Sequence, residues 1–102
     1  MSDGIQIDLS MQAIKAFCQK WNVREFALFG SVLGSDFTSE SDVDVLVTFG
    51  PEGGVTFENY PVILDELENI FGRKVDLVEK GTIRNPFRRH AILTSRRVIH
   101  AA

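Results

Sequence analysis

The segment Asp42-Val43-Asp44-Val45-Leu46-Val47 places two carboxylates in a run that is otherwise β-branched and apolar. Such a run reads as a strand. Side chains at i and i+2 of a strand share one face, with Cα atoms roughly 6.6–7 Å apart. Two like charges about 5 Å apart repel by about 3 kcal/mol at an effective dielectric near 20, while Val43, Val45, Leu46 and Val47 demand burial. The strand must therefore either sit at a sheet edge with one wet face or bring a cation to its acids. Paired carboxylates with open positions suit hard, oxygen-seeking ions, above all Mg²⁺.

The remaining periodicities build a scaffold around that strand. Ile14, Phe17, Cys18 and Trp21 follow the i, i+3, i+4, i+7 rule of an amphipathic helix, with Asp8 or Ser10 as its N-cap. Phe26-Ala27-Leu28-Phe29 reads as a short buried strand halted by Gly30. Gly50-Pro51-Glu52-Gly53-Gly54 is a turn. Tyr60, Ile63, Leu64, Leu67, Ile70 and Phe71 form a second helix, with Asn59 as cap, Pro61 in the first turn and Gly72 as C-terminal αL cap. Val75-Asp76-Leu77-Val78 is a third strand. Asn85-Pro86 opens a helix running to about Ser95, and Val98-Ile99 returns to the sheet. This order predicts an α/β (α+β) fold, a small mixed sheet with helices packed on it. The 102 residues are expected to form one domain, 1–102.

Composition excludes several classes. With 44% apolar and 25% charged residues the chain matches an ordinary globule rather than a disordered or fibrous one. No apolar run approaches the ~20 residues that span a bilayer, so no membrane role is expected. Met1-Ser2-Asp3-Gly4 lacks a basic signal-peptide start, and the single cysteine, Cys18, cannot form an intrachain disulfide. The expected location is the cytoplasm. Net charge is −3, but residues 1–80 carry 6 basic and 14 acidic side chains, while residues 81–102 carry Arg84, Arg88, Arg89, Arg96 and Arg97 with no acid. That basic end either meets an anionic ligand or partner, or is a solvated face neutralising the acidic body.

Two further features bear on the acid pair. Asp76 is a third acid in an apolar strand and could complete a two-metal site, which clamps a transferring phosphoryl group; alternatively it is an exposed strand-end acid near Lys74. Gly30-Ser31, directly after a strand, permits close backbone approach and offers a hydroxyl and turn amides to phosphate oxygens, or is a simple turn. Neither G-x-x-x-x-G-K-[ST] nor G-x-G-x-x-G occurs. His90 and His100 have no ligand spacing, and Cys18 belongs to the apolar stripe of its helix.

Leu28-Phe29-Gly30-Ser31, then Ser41-Asp42-Val43-Asp44-Val45-Leu46-Val47, then Val75-Asp76-Leu77-Val78 resembles the small nucleotidyltransferases of the DNA polymerase beta superfamily. The interval of 11 from Ser31 to Asp42 is the one such proteins show. A domain this short is similar to the minimal nucleotidyltransferases, often the antitoxin half of a pair with a HEPN-domain toxin. The resemblance implies that Gly30 and Ser31 hold the β/γ-phosphates of a nucleoside triphosphate, with ATP as the expected substrate. It implies that Asp42 and Asp44 coordinate two Mg²⁺, and that Asp76 binds the catalytic ion and helps activate the acceptor hydroxyl. The implied product is a nucleoside monophosphate on a hydroxyl of a partner protein. One position departs from the pattern. Relatives often carry an arginine a few residues after the Gly-Ser; Val32, Leu33, Gly34 and Ser35 supply none, so the clamp is absent or replaced by an arginine of the C-terminal segment.

The competing expectation is a non-catalytic, nucleotide-binding or steric antitoxin that uses the arginine segment as its interface with a HEPN-type partner. Direct nucleic-acid binding is disfavoured, because the chain is acidic overall and only Phe87 accompanies those arginines for stacking. Homo- and hetero-oligomers both remain open.

Overall fold

The computed structural model describes residues 9–102 apart from 36 and 39. The elements run α1 (Met11–Trp21), β1 (Val23–Phe29), a 3₁₀ turn (Gly30–Leu33), β2 (Val43–Phe49), α2 (Tyr60–Phe71), β3 (Val75–Glu79), a second 3₁₀ turn (Lys80–Thr82), α3 (Pro86–Ser95) and β4 (Arg97–Ala101). The four strands form one sheet in the order β3-β2-β1-β4. β1 pairs antiparallel with both β2 and β4, whereas β2 and β3 run parallel. The sheet is mixed because the chain turns back through residues 30–42 to pair β2 antiparallel with β1, while β2 reaches β3 through the α2 crossover that parallel pairing requires. Val98-Ile99 does return to the sheet, as part of β4.

The strand alternation divides the core into two layers. Val43, Val45 and Val47 face α1 and α2 and are packed with Ile14, Phe17, Cys18, Phe26, Leu28, Ile63 and Leu67. A register shift between Val23 and Glu25 lets Val23 join Phe26 and Leu28 on that face, since a bulge resets the alternation. Phe26 is the centre of this layer, edge-on to Phe17 at 6.0 Å and stacked on Phe71 at 6.3 Å. Fully burying a side chain of this kind contributes roughly 1.5–3 kcal/mol. On the opposite face, Ala27, Phe29 and Leu46 pack with Ile83 and with Ile92 of α3. That second layer is small, and it leaves the start of β2 uncovered by apolar side chains.

The helix ends follow the sequence expectations with one exception. Ser10 accepts from the Ala13 amide at 3.3 Å, Gly72 closes α2 in the left-handed region at φ 69°, and Asn85 Oδ1 accepts from the Phe87 and Arg88 amides at 2.9 and 3.1 Å. The alternative cap Asp8 lies outside the described residues. Asn59 stands at the N-cap of α2 but makes no side-chain cap bond. Its Oδ1 accepts from the Thr56 amide at 2.6 Å and its Nδ2 donates to the Gly54 carbonyl at 3.0 Å, so it braces the preceding loop instead. Cys18 is buried, and burial pushes its thiol up to about 11, the mark of an inert core cysteine. Among the described residues, no helix is long and apolar enough to cross a membrane.

Candidate active site

β2 carries its first acid just before the strand and the second inside it. Asp42 is exposed and precedes Val43, whose amide donates to the Lys74 carbonyl at 3.0 Å and so begins the pairing with β3. Asp44 is half-buried and lies in register with Phe29 of β1 on one side and Asp76 of β3 on the other. Neighbouring strands are about 4.8 Å apart, so the parallel register brings the third acid beside the second. Asp76 is exposed rather than buried, because nothing apolar from the α3 layer extends over this end of the sheet.

Gly30 follows Phe29 directly, and its backbone is held at φ +77°. A Cβ built on it would stand 2.1 Å from Asp44 Oδ2 and 3.1 Å from its Cγ. The Asp44 carboxylate thus occupies the space that any other residue at position 30 would fill. Ser31 is half-buried in the 3₁₀ turn that opens there, and its carbonyl accepts from the Gly34 amide at 2.9 Å. Gly30, Ser31, Asp44 and Asp76 therefore gather at one end of the sheet.

The electrostatics identify the centre of the cluster. Burial, then the neighbouring charges of Asp76 and Asp42, push the Asp44 carboxyl above the ordinary carboxylate range, and the Arg88 guanidinium of α3 pulls it the other way. A carboxylate raised in this manner has an unmet demand for positive charge. No group of three or more His, Cys, Asp or Glu side chains among the described residues forms a ready-made metal cage. Mg²⁺ does not require one, since it binds through one or two carboxylates plus substrate phosphates and retains water. The all-oxygen donor set, open on the Asp42 and Asp76 sides, fits that ion.

Two side chains outside the sequence motifs shape the site. Arg73, between α2 and β3, donates to the Thr38 and Ser41 carbonyls at 3.1 Å each and lies 4.5 Å over the Phe37 ring. It ties down the segment leading into Asp42, and with Glu40, Ser41, Asp42 and Lys74 it lines a cavity of about 420 Å³. The only hint in the sequence was its place after the Gly72 cap. The arginine-rich segment does not form one continuous patch. Arg89 donates to the Lys80 carbonyl at 2.8 Å, and Arg96 to Glu25 at 2.8 Å and to the Leu93 carbonyl. Of the five, Arg88 is the one whose charge bears on Asp44.

The sequence profile of the nucleotidyltransferase domain matches residues 10–99, from the cap of α1 into β4. The chain belongs to the nucleotidyltransferase family. A Methanocaldococcus jannaschii protein provisionally named a protein adenylyltransferase is 38% identical to this nucleotidyltransferase over 78 residues, which is 76% of this chain and 78% of the relative. The protein adenylyltransferase MntA of Thermococcus cleftensis is 32% identical over 77 residues, 70% of either chain. Among solved structures, one described provisionally as a minimal nucleotidyltransferase superposes with a TM-score of 0.67 at 27% identity, covering 85% of this chain and 86% of that one. A toxin–antitoxin crystal structure with AMP-PNP gives a TM-score of 0.73 at 17% identity over 92% of this chain and 75% of that one, a likeness of fold.

Proposed function

We propose that this nucleotidyltransferase moves AMP from ATP onto a hydroxyl of a partner protein, and that it does so as the antitoxin of a pair with a HEPN-type toxin. The observation that supports the chemistry is the place of Asp44, in register with Asp76 on β3 and filling the space that a side chain at Gly30 would take, with its carboxyl raised above the ordinary range. The acceptor class is supported by the relatives named protein adenylyltransferases. The pairing is supported by a solved structure, similar in fold with a TM-score of 0.63, described as a tri-AMPylated Shewanella oneidensis HEPN toxin with its MNT antitoxin.

In this reading Gly30 and Ser31 receive the β/γ-phosphates, the glycine by letting backbone approach and the serine by its hydroxyl. Asp42, Asp44 and Asp76 are the residues that would hold Mg²⁺, which when bound would supply charge neutralisation for phosphoryl transfer. Asp76, exposed to solvent, orients the acceptor hydroxyl, accepts its proton and releases it to water. The acceptor oxygen–phosphorus bond forms, the α–β anhydride bond breaks, and pyrophosphate departs. Such a transfer needs positioning and electrostatics more than covalent help from the protein.

The test is incubation with Mg²⁺ and α-labelled ATP in lysate of the source cell and with a HEPN-domain partner, beside Asp42→Asn with Asp44→Asn. Label on a discrete protein band, lost in the double variant while its fold persists, is the expected outcome. Retained labelling in that variant would refute the residue assignment, label on RNA would replace the acceptor class, and no label despite Mg-ATP binding would favour the non-catalytic antitoxin.

A further inference from the structure

We propose that Lys74 is an acceptor-side specificity residue of this site, selecting a hydroxyl that has an anionic group, a carboxylate or a phosphate ester, close beside it. The inference rests on the protein-acceptor reading above and describes the surroundings of the hydroxyl that this reading requires.

The order of the strands separates the two substrates. Gly30 and Ser31 follow β1 on one side of Asp44, whereas β3 lies on the other side and forms the edge of the sheet. A triphosphate seated on the Gly-Ser turn leaves the β3 edge as the side from which an acceptor approaches. Asp76 stands there, exposed. Lys74 precedes it by two residues, the spacing that keeps extended side chains on one face with Cα atoms roughly 6.6–7 Å apart. The Lys74 carbonyl accepts from the Val43 amide at 3.0 Å, which sets Lys74 beside Asp42 as the register sets Asp76 beside Asp44. Lys74 and Asp42 accordingly line one cavity of about 420 Å³ with Glu40, Ser41 and Arg73.

Within that cavity Lys74 is the cation left unspent. Arg73 is committed to the Thr38 and Ser41 carbonyls and to the Phe37 ring, and the Ser41 hydroxyl accepts from the Thr38 amide at 2.9 Å. That wall is therefore tied together without any ligand. Lys74 is exposed, and no hydrogen bond or ion pair engages its ammonium among the described residues. It forms no ion pair even with Asp42, which shares the cavity. Glu40 and Asp42 make the remaining wall negative, so the cavity is polarised and Lys74 is its one point of attachment for an anion. The Lys74–Asp76 spacing then sets the match: the anion that Lys74 holds lies roughly 7 Å from the hydroxyl that Asp76 orients. A lysine ammonium is a compact point charge on a flexible stem, suited to either a carboxylate or a phosphate.

The test is steady-state transfer from α-labelled ATP with Mg²⁺ to a HEPN-domain partner by wild type, Lys74→Ala, Lys74→Arg and Lys74→Glu. Equilibrium binding of Mg²⁺ with α,β-methylene-ATP is measured beside it. KM for the partner is expected to rise roughly three- to fivefold in Lys74→Ala, the scale of an exposed charge pair, and further in Lys74→Glu, with Lys74→Arg close to wild type. Both kcat and affinity for the nucleotide analogue should stay within about twofold, the signature of lost acceptor binding alone. Two arms identify the anion. Changing the partner's Asp and Glu nearest the labelled hydroxyl to amides reproduces the KM rise if the anion is a carboxylate, and phosphatase treatment of the partner does so if it is a phosphate. In the arm that responds, Lys74→Ala adds no further loss, because the two changes remove one interaction. An unchanged partner KM in Lys74→Ala, or additive losses in both arms, overturns the proposal. A change confined to the Mg²⁺ requirement or to nucleotide affinity also overturns it, since Lys74 would then be a counter-charge of Asp42. Wild type that binds the analogue but labels no partner overturns the function reading as well, whereas labelling indifferent to Lys74 overturns this inference alone.

Discussion

The carboxylate of Asp44 occupies the volume a side chain on residue 30 would need, with Oδ2 only 2.1 Å from the Cβ position of Gly30. The glycine of the Gly-Ser turn is therefore required by its approach to β2, whatever ligand that turn meets. Gly30→Ala is expected to move Asp44 and to strain a backbone held at φ +77°, a conformation that costs an L-residue roughly 1–2 kcal/mol. Nucleotidyl transfer should fall by about 100-fold, the order expected for a displaced reactive group, with a modest loss of thermal stability. A transfer assay read beside a melting curve checks both.

Asp44 is also a stability liability. Burial and the charges of Asp76 and Asp42 raise its folded-state titration, so the folded chain holds the proton more tightly than the unfolded one. Metal-free protein should gain stability as pH falls through that raised value and lose it as pH rises. Asp44→Asn is expected to raise the melting temperature of metal-free protein at neutral pH, to remove that slope, and to abolish transfer. Stabilising loss of function of this kind marks a site whose charges serve chemistry.

The sequence carried those elements whose causes are local. Val43, Val45 and Val47 alternate with Asp42, Asp44 and Leu46, and Asn85-Pro86 encodes cap and first turn in two adjacent residues. The sequence left Asp76 open between a site acid and an exposed strand-end acid; it is exposed, since its neighbours Val75 and Leu77 face the α1/α2 layer. Asn59 was misjudged because a nearby loop competed for its side chain. Arg73 over Phe37 and Arg88 near Asp44 join residues more than thirty positions apart, and no periodicity encodes such a meeting.

The Arg73 clamp should matter to Asp42 rather than to the core. Arg73→Ala removes both bonds to the Thr38 and Ser41 carbonyls. It is expected to raise the Mg²⁺ concentration needed for half-maximal transfer several-fold. Arg73→Lys should recover little of that, since one ammonium lacks the guanidinium's fork and its stacking on Phe37. A metal titration of both variants decides it.

A second acid responds to pH in the opposite sense. Desolvation works against the charge of Glu66, but the bonds from Lys20 and from the Trp21 indole N–H at 3.1 Å outweigh it and hold its carboxyl below the usual range. Its contribution is present above the unfolded carboxylate range and disappears as pH falls through the lowered value. Glu66→Gln should cost less than about 1 kcal/mol at neutral pH, as exposed pairs do. Urea unfolding at pH 7 and at strongly acidic pH should show the two proteins converging in acid.

The parallel pairing of β2 with β3 has a consequence for how the chain comes of age. The β1–β2 partners lie closer in sequence than those of β2 and β3, and Asp44 and Asp76 meet only when the crossover through α2 closes. Such non-local closure lags behind local structure, and here it must also drive two negative charges together. If Asp44 and Asp76 act together as proposed, a chain still emerging from the ribosome, or one frayed at β3, is expected to be silent, and competence for transfer becomes a readout of completed folding.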